Sequence, residues 1–329
     1  MTTKTIVVLM IGLALASVRL ADAQQAKKVP RIGYLSTTGD PNNPGNQVEA
    51  FRQGLRDFGH IEGKNVLVEY RYVEGNVDRI PSLVAELMQL KVDVFVTAVF
   101  LAIRLAKQAT KTIPIVMVTA QDPVAAGFVD SLARPGGNIT GITRLTRELS
   151  GKRLELLKEM APRMSRIGAL WDANASGPDV GFKEYDVAAR ALKITLQSLE
   201  VRGPTPDLEG AFQAATKERA NAVITIRNTL LNRYAKRIAD LAVKNGLPSM
   251  HEGSDYVEAG GLVSYAAGEA ESFKRAAYYV DRILKGTKPA DLPVEQPTKF
   301  ELVINLKTAK QIGLAIPQSV LFRADKVIK

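Results

Sequence analysis

Residues 31–35 read Arg-Ile-Gly-Tyr-Leu, and residues 166–171 read Arg-Ile-Gly-Ala-Leu-Trp. Both runs are rich in apolar and β-forming residues and predict strands. Each opens a series in which short strand-like runs alternate with amphipathic helical runs. That alternation is typical of a parallel sheet covered by helices on both faces. The repeated opening therefore predicts two similar α/β series, although the sequence identity between them is slight.

The first series runs from residue 31 to residue 119. Strands are predicted at 31–35, 66–72, 94–97 and 115–119, and helices at 46–58, 78–90 and 101–110. In the first helix Val48, Phe51, Leu55 and Phe58 recur at helical spacing. Asp78 is predicted to be the N-cap of the second helix. The turn Pro135-Gly-Gly-Asn138 then breaks the pattern before an extended segment at 139–143.

The second series follows that break. Its predicted helices lie at 149–160, 180–192, 208–218 and 232–245, and its strands at 166–171, 195–201, 222–226 and near 247–250. A second extended break at 260–265 leads to a long helix at 269–285, a last strand at 300–304 and a helical tail at 306–312. The chain is expected to pass between lobes near 141–144, 264–267 and 296–301. We therefore predict two Rossmann-like parallel-sheet lobes joined by a three-crossing hinge. The predicted lobes are residues 30–142 plus 266–297 and residues 143–265 plus 298–329.

The amino-terminal residues predict export. Lys4 precedes an apolar run at 6–16, and Ala21-Asp22-Ala23 matches a small-residue cleavage site, so residues 1–23 read as a secretory signal peptide. The mature protein is expected to start near Gln24 and to work in the periplasm. The sequence has no cysteine, which excludes a disulfide framework, a thiolate nucleophile and a lipid-bearing cysteine. The expectation is a periplasmic protein that is not lipid-anchored.

The charge balance is basic without marking a nucleic-acid surface. The formal charge is +10, and removing Lys4, Arg19 and Asp22 with the leader leaves 10 − 2 + 1 = +9. Lysine and arginine alternate with acids along the predicted helices, for example in KRLELLKE at 152–159. Such mixing is typical of solvated helix faces. We expect no nucleic-acid partner.

Ligands of open α/β sheets bind beyond the carboxyl ends of the strands. The loops expected there carry short polar side chains, and helix N-termini add hydrogen-bond donors. The predicted ligand-binding residues are Ser36, Thr37, Thr38, Thr97, Asp122, Trp171, Asn174, Ser176, Arg227, Asn228 and Asp255. For each serine or threonine, helix capping is the stronger alternative. Arg227 could hold a ligand carboxylate, or it could instead face solvent or pair with Asp255.

Two aromatic residues suggest a clamp. Tyr34 and Trp171 lie at the ends of the opening strands of the two series, where they could stack on a ligand from opposite lobes. Core packing is an equal alternative for Trp171. His60 is expected in a surface turn.

No catalytic constellation stands out in the sequence. His251 beside Glu252 could do acid–base work, but no nucleophile accompanies the pair. No zinc or phosphate-binding motif occurs. We therefore predict no catalytic residue, metal or cofactor.

Several segments together resemble one family. They are FRQGLR (51–56), GKNV (63–66), EYR (69–71), DPV (122–124), SLARPGGNITG (131–141), KRLELLK (152–158), AGGLVSY (259–265) and DLPVEQPTKFELVINLKTA (291–309). From about residue 31 to residue 329 the chain resembles ABC-transporter substrate-binding proteins, in the family that includes tryptophan- and phenylalanine-binding members. The resemblance implies a periplasmic-binding-protein fold, a ligand in an interlobe cleft and delivery to an inner-membrane ABC permease.

The resemblance also implies that serine- and asparagine-rich loops hold the amino and carboxylate groups of an amino acid. This sequence keeps Asn174 and Ser176 but opens that loop with Trp171-Asp172, a departure from the pattern. The predicted function is a non-enzymatic, monomeric periplasmic protein that binds a small polar ligand. The alternatives are a periplasmic sensor that presents its ligand to a receptor and, less favoured, a secreted α/β enzyme that uses His251.

Overall fold

The computed structural model describes residues 28–144, 149–174 and 178–329, and within these ranges the strands form a five-stranded and a seven-stranded sheet. The predicted signal peptide, residues 1–23, and the predicted ligand residue Ser176 lie outside the described residues. Arg31–Lys329 makes up one unit of internal contacts. No described helix is long and apolar enough to cross a membrane.

The first sheet has the order β2-β1-β3-β4-β5, and all its pairings are parallel. Its strands are β1 (Arg31–Ser36), β2 (Leu67–Tyr72), β3 (Val94–Thr97), β4 (Ile115–Thr119) and β5 (Ile139–Thr143). The connecting helices are α1 (Gly45–Asp57), α2 (Ile80–Gln89) and α3 (Phe100–Ala109). Strands β3, β4 and β5 are buried throughout, as expected for parallel strands covered on both faces.

The second sheet has the order β12-β11-β10-β9-β8-β6-β7. Its strands are β6 (Arg166–Asp172), β7 (Thr195–Val201), β8 (Ala222–Thr225), β9 (Ser249–His251), β10 (Val263–Ala267), β11 (Phe300–Asn305) and β12 (Lys326–Ile328). The helices after β5 are α4 (Ser150–Met160), α5 (Pro178–Ala191), α6 (Leu208–Lys217), α7 (Thr229–Arg233), α8 (Ala235–Lys244), α9 (Ser254–Glu258), α10 (Glu269–Leu284), α11 (Leu306–Gln311) and α12 (Gln318–Leu321). Strand β11 runs antiparallel to β10, so this sheet is mixed.

Alternating side chains of the central strands feed separate apolar clusters on the two faces of the first sheet. Val94 and Val96 pack with α1 and α10, whereas Phe95 packs with α2 and α3. The second sheet is covered in the same way, with Ala222 and Ile224 on one face and Val223 on the other. The helices therefore lie on both faces of each sheet.

The described elements pass three times between the sheets. After β5 the chain proceeds to α4, which packs on the second sheet. After β10 it enters α10, which packs against α1 of the first sheet. Glu295 forms a bridge to Ile142 of β5, and from there the chain turns back toward β11. The predicted fold class, two α/β lobes joined by three crossings, is confirmed.

Several local predictions need correction. Asp78 is not the N-cap of α2, because a 3-10 turn at Val77–Arg79 comes first and the side chain of Asn76 accepts the amide of Asp78. The helix predicted at 232–245 is divided at Tyr234, where φ is −101° and ψ is 12°. His60 is not a plain surface residue, since its Nε2 lies 2.9 Å from Oδ1 of buried Asp281. The short helices α9 and α12 and the edge strand β12 were not predicted.

Candidate functional site

The carboxyl ends of parallel strands from both sheets lie where the chain crosses between the sheets. Strand β5 ends at Thr143 and β10 ends at Ala267, and a crossing follows each of them. Because ligands of open α/β sheets bind beyond such ends, the residues that follow them are the first candidates for a site.

Polar side chains from both sheets meet at this junction, and we call them the junction cluster: Gln47, Arg144, Arg227, Asp255 and Glu269. Gln47 lies in the first turn of α1, and Arg144 directly follows β5. Arg227 lies two residues after β8, Asp255 is in α9 after β9, and Glu269 begins α10 after β10. Each member therefore follows the carboxyl end of a different strand.

Glu269 is the centre of the cluster. Its Oε1 accepts hydrogen bonds from Nε2 of Gln47 at 3.0 Å and from Nη1 of Arg144 at 2.9 Å. The same oxygen lies 3.1 Å from Nη1 of Arg227. Gln47 and Arg144 belong to the first-sheet side and Arg227 to the second, so this one carboxylate joins the two sides.

Arg227 is held from three directions. Its Nη2 donates to Oδ2 of Asp255 at 2.9 Å, and its Nε donates to Oδ1 of Asn232 at 3.0 Å. With the Glu269 contact, every nitrogen of the guanidinium has an acceptor or counter-charge. Of the alternatives considered for Arg227, the structure shows the one in which it pairs with Asp255.

The cluster contains two positive and two negative side chains, so its formal charges balance. Burial disfavours the charge on Arg227, but Asp255 and Glu269 raise its pKa above the ordinary arginine value. Burial alone would raise the pKa of Glu269, and the two arginines lower it instead. Burial lowers the pKa of Arg144, and attraction by Glu269 offsets this lowering only in part.

Two atoms of the cluster have no hydrogen-bond partner among the described residues, Nε of Arg144 and Oδ1 of Asp255. Both atoms are buried, although the Asp255 side chain as a whole remains 32% exposed. Burial raises the pKa of Asp255, and attraction by Arg227 offsets this only in part. A cation placed against this carboxylate would therefore relieve an unfavourable charge, and an anion would do the same for Arg144.

A pocket of about 250 Å³ opens beside the cluster. Its lining residues come from α1, α9, α10, β11 and β12 and are Asn46, Ser254, Asp255, Glu258, Gly268, Glu269, Ala270, Glu271, Glu301, Val303 and Lys326. The volume lies just below the range for small-molecule sites, about 300–1,000 Å³, so the pocket suits only a small ligand such as an amino acid. Among the described residues predicted to bind ligand, Asp255 alone lines it.

Three of the other predicted residues each accept the backbone amide two residues further along the chain, in turns that follow the strand ends. Oγ1 of Thr97 accepts the amide of Val99 at 3.1 Å, and Oδ1 of Asp122 accepts the amide of Val124 at 2.8 Å. Oγ of Ser36 accepts the amide of Thr38 at 3.2 Å, and Thr37 beside it is half-buried.

The corresponding loop of the second sheet is tied together by Asp172. Its Oδ2 accepts from Nδ2 of Asn228 at 2.7 Å, and its Oδ1 accepts the amide of Asn174 at 3.0 Å. Oδ1 of Asn228 caps α7 by accepting the amide of Leu231. The Trp171-Asp172 departure thus supplies a carboxylate that orders its own loop.

The aromatic clamp is not formed. Tyr34 is 1% exposed, and its ring packs against Phe51 at a centroid distance of 4.9 Å. Trp171 stacks on Phe182 at 5.6 Å, and its Nε1 donates to Oγ of Ser198 at 2.8 Å. Both rings contribute to the packing of sheets against helices.

His251 is not available for acid–base chemistry. It is the last residue of β9, fully buried, and its ring stacks on Tyr256 at a centroid distance of 4.9 Å. Neither ring nitrogen has a hydrogen-bond partner among the described residues, and burial lowers its pKa to about 3. This geometry argues against the secreted-enzyme alternative. The described residues also contain no group of three or more potential metal ligands of the His, Cys, Asp and Glu types.

Sequence reasoning missed Gln47, Arg144 and Glu269. Arg144 directly follows a predicted strand, and Glu269 begins a predicted helix after a predicted crossing, so strand-end reasoning extended to the crossings would have included them. Gln47 carries a weaker signal, because a longer loop separates it from the end of β1 at Ser36.

Comparison with known proteins agrees with this architecture. A family model described as "ABC transporter substrate binding protein" matches residues 44–328. The chain is 23% identical to a tyrosine-binding protein of Clostridioides difficile over 298 residues. This alignment covers 88% of the present chain and 82% of that protein.

Two solved structures extend the likeness. A conserved domain protein from Vibrio cholerae is 28% identical with a TM-score of 0.81, covering 91% of this chain and 100% of that one. An ABC domain from Streptococcus pneumoniae, solved in complex with L-Trp, is 24% identical with a TM-score of 0.75, covering 90% of this chain and 100% of that one.

Proposed function

The chain belongs to the family of ABC transporter substrate-binding proteins, and we propose that its ligand is an amino acid held at the junction cluster. In this proposal Asp255 receives the ligand's ammonium group. Arg144, with Arg227 beside it, receives the carboxylate. The protein binds and releases this ligand without chemical change.

One observation carries the proposal: the cluster presents one unpartnered donor and one unpartnered acceptor, each on a charged side chain. These are Nε of Arg144 and Oδ1 of Asp255. A zwitterion offers both complementary groups in one small molecule and leaves the balanced charge of the cluster unchanged. A ligand with a single charge would leave one of the two atoms without a partner, at a cost of about 1–3 kcal/mol.

The relatives favour an aromatic side chain on the ligand. One is a tyrosine-binding protein and another was solved with L-Trp bound. We extend this class of ligand to the present chain. The loop residues predicted from the sequence remain proposed neighbours of the ligand: Ser36, Thr37, Thr38, Thr97, Asp122, Trp171, Asn174, Ser176 and Asn228.

We further propose that the protein is an exported monomer that hands its ligand to an inner-membrane ABC permease. The support is family membership together with the leader-like composition of residues 1–23. Periplasmic material should begin at Gln24 on amino-terminal sequencing and run as a monomer in gel filtration. Retention of residues 1–23 in that fraction would contradict the proposed cleavage.

Thermal unfolding with matched ligands tests the amino-acid proposal. L-Tyrosine, L-tryptophan and L-phenylalanine are compared with analogues that lack the carboxylate (tyramine) or the ammonium group (4-hydroxyphenylpropionate). A ligand present at 100 times its Kd stabilises the folded state by about 2.7 kcal/mol. We expect at least one amino acid to raise the melting temperature and both single-charge analogues to raise it far less. Equal stabilisation by the analogues, or binding of uncharged sugars alone, would contradict the proposal.

Two variants in one short helix provide the site test. Asp255→Asn should weaken amino-acid binding about tenfold to a hundredfold in calorimetry, the effect of losing one charge-assisted hydrogen bond. Glu258→Gln is the matched control, because Glu258 lines the same pocket but is exposed and bonded to Lys326 at 2.8 Å. Its affinity should stay within about twofold of wild type. Equal affinity of both variants would exclude Asp255 from the site.

A further inference from the structure

Glu252 lies directly behind the junction cluster. It follows β9 and is buried. Its Oε2 accepts the backbone amide of Arg227 at 2.9 Å. That amide belongs to the segment 226–228, which joins β8 to α7 and carries Arg227 to the cluster.

The other oxygen of Glu252 is held by two donors. Oη of Tyr185 in α5 donates to Oε1 at 3.0 Å, and Nη1 of Arg153 in α4 lies 3.3 Å from it. Burial raises the pKa of Tyr185, so its hydroxyl keeps its proton and remains a donor. Glu252 therefore accepts the Arg227 amide with Oε2, while Tyr185 and Arg153 fix its orientation through Oε1.

Arg153 connects this arrangement to the crossings. Its side chain is fully buried, and its Nε donates to the backbone carbonyl of Tyr265 at 2.8 Å. Tyr265 lies in β10, shortly before the chain crosses to α10, and Arg153 lies in α4, shortly after the chain leaves β5. One buried ion pair thus contacts the segment 226–228 and the second-sheet ends of two crossings.

Stability alone is a poor reason for this pair. Replacing a buried ion pair with apolar residues is often neutral or stabilising, because desolvation costs about as much as the attraction returns. A buried carboxylate does have a use where a backbone donor must be held in one place. The amide of Arg227 is such a donor, and the guanidinium at the end of the same residue must meet both Asp255 and Glu269.

We propose that Glu252 is a positioning residue: anchored by Arg153 and Tyr185, it holds the backbone of Arg227 so that the guanidinium stays on Asp255 and Glu269. Glu252 itself does not contact the ligand. Its effect on ligand binding passes through Arg227. Only the affinity readout below rests on the proposed amino-acid ligand.

Hydrogen exchange without ligand tests the positioning directly. In Glu252→Gln, peptides covering 226–232 should exchange at least about tenfold faster than in wild type, because a neutral acceptor holds the Arg227 amide less firmly. Peptides of α4, α5 and the first sheet should keep their wild-type rates. Equal acceleration across α4 and α5 would show a general packing role and overturn the proposal, as would unchanged exchange at 226–232.

The matched control is Glu218→Gln, which removes an acid that pairs with Arg166 at 3.5 Å at the surface, at the amino end of β6 and away from the segment 226–228. It should leave exchange at 226–232 unchanged. Glu252→Gln removes the buried ion pair between Arg153 and Glu252 and could fail to fold. In that case the double variant Arg153→Met with Glu252→Gln, which removes both charges, carries the same test.

Binding of L-tyrosine separates action through Arg227 from direct contact. Glu252→Gln should weaken binding about tenfold in the wild-type background but less than about twofold in an Arg227→Lys background, since the residue that it positions is already altered. Additive losses would overturn the proposal. If wild-type protein does not bind L-tyrosine, the choice of ligand fails, while the exchange experiment still decides the role of Glu252.

Discussion

At the scale of single residues, His251 shows what a buried titratable group does to stability. Its pKa is lowered from 6.5 to about 3 by burial. Between pH 6.5 and about pH 3 the unfolded chain therefore binds a proton that the folded chain does not. The free energy of unfolding decreases as the pH is lowered through this range. Between neutral pH and pH 5 we expect a loss of about 2 kcal/mol from this residue alone. Urea unfolding at several pH values measures it.

The variant His251→Leu removes the titrating group and should flatten this part of the stability profile, whatever it does to stability at neutral pH. His60→Gln is the control, since it leaves His251 in place and should keep the acid slope. If wild type and His251→Leu lose stability equally between pH 7 and pH 5, His251 is accessible to protons in the folded state.

At the scale of helices, the contact between α1 and α10 depends on a missing side chain. A Cβ at Gly54 would lie 2.7 Å from the carbonyl oxygen of Lys274 and 2.8 Å from Cβ of Ala277. Alanine is preferred over glycine in a helix by about 1 kcal/mol. Overpacking against a backbone atom costs about 1–3 kcal/mol, so we expect Gly54→Ala to be destabilising overall.

Denaturant unfolding of Gly54→Ala beside Gly151→Ala tests this balance. Gly151 lies in α4, and the nearest atom to its added Cβ is 4.0 Å away, so there helix propensity acts alone. Its unfolding midpoint should stay level or rise, whereas the midpoint of Gly54→Ala should fall. A rise in both would mean that the two helices separate easily.

Sequence patterns predicted the elements whose determinants are local. The spacing of Val48, Phe51, Leu55 and Phe58 predicted α1; the first three are buried, whereas Phe58 is the C-cap residue and exposed. The break at Tyr234 was missed because its stabilising contact is distant: the hydroxyl donates to the carbonyl of Pro204. Local periodicity continues smoothly across such a position and contains no sign of it.

The same division applies to the site. Arg227 and Asp255 were predicted because each follows a strand, which is a local property. That Glu269 lies against both arginines depends on how α10 returns to the first sheet after crossing from the second. Trp171 and Tyr34 were ambiguous because an aromatic ring at a strand end serves packing and stacking equally well, and both rings pack within their own halves.

At the scale of the whole molecule, the three crossings and Glu269 together favour a hinge. We propose that the lobes divide as predicted, residues 30–142 plus 266–297 and residues 143–265 plus 298–329. With these bounds Glu269 belongs to the first lobe and contacts both Arg144 and Arg227 of the second. Since these contacts lie next to the crossings, the strand-end loops farther from them can separate while the cluster keeps its partners.

A ligand that bridges the lobes should therefore close the cleft. Small-angle scattering on wild-type protein should show a smaller radius of gyration when the amino acid identified by thermal unfolding is added at a concentration that calorimetry shows to be saturating. Asp255→Asn at the same ligand concentration is the control and should keep the larger radius, because it lacks the carboxylate that receives the ammonium group. An unchanged radius in saturated wild-type protein would mean that the lobes bind ligand without moving, and the crossings would then be a rigid connection.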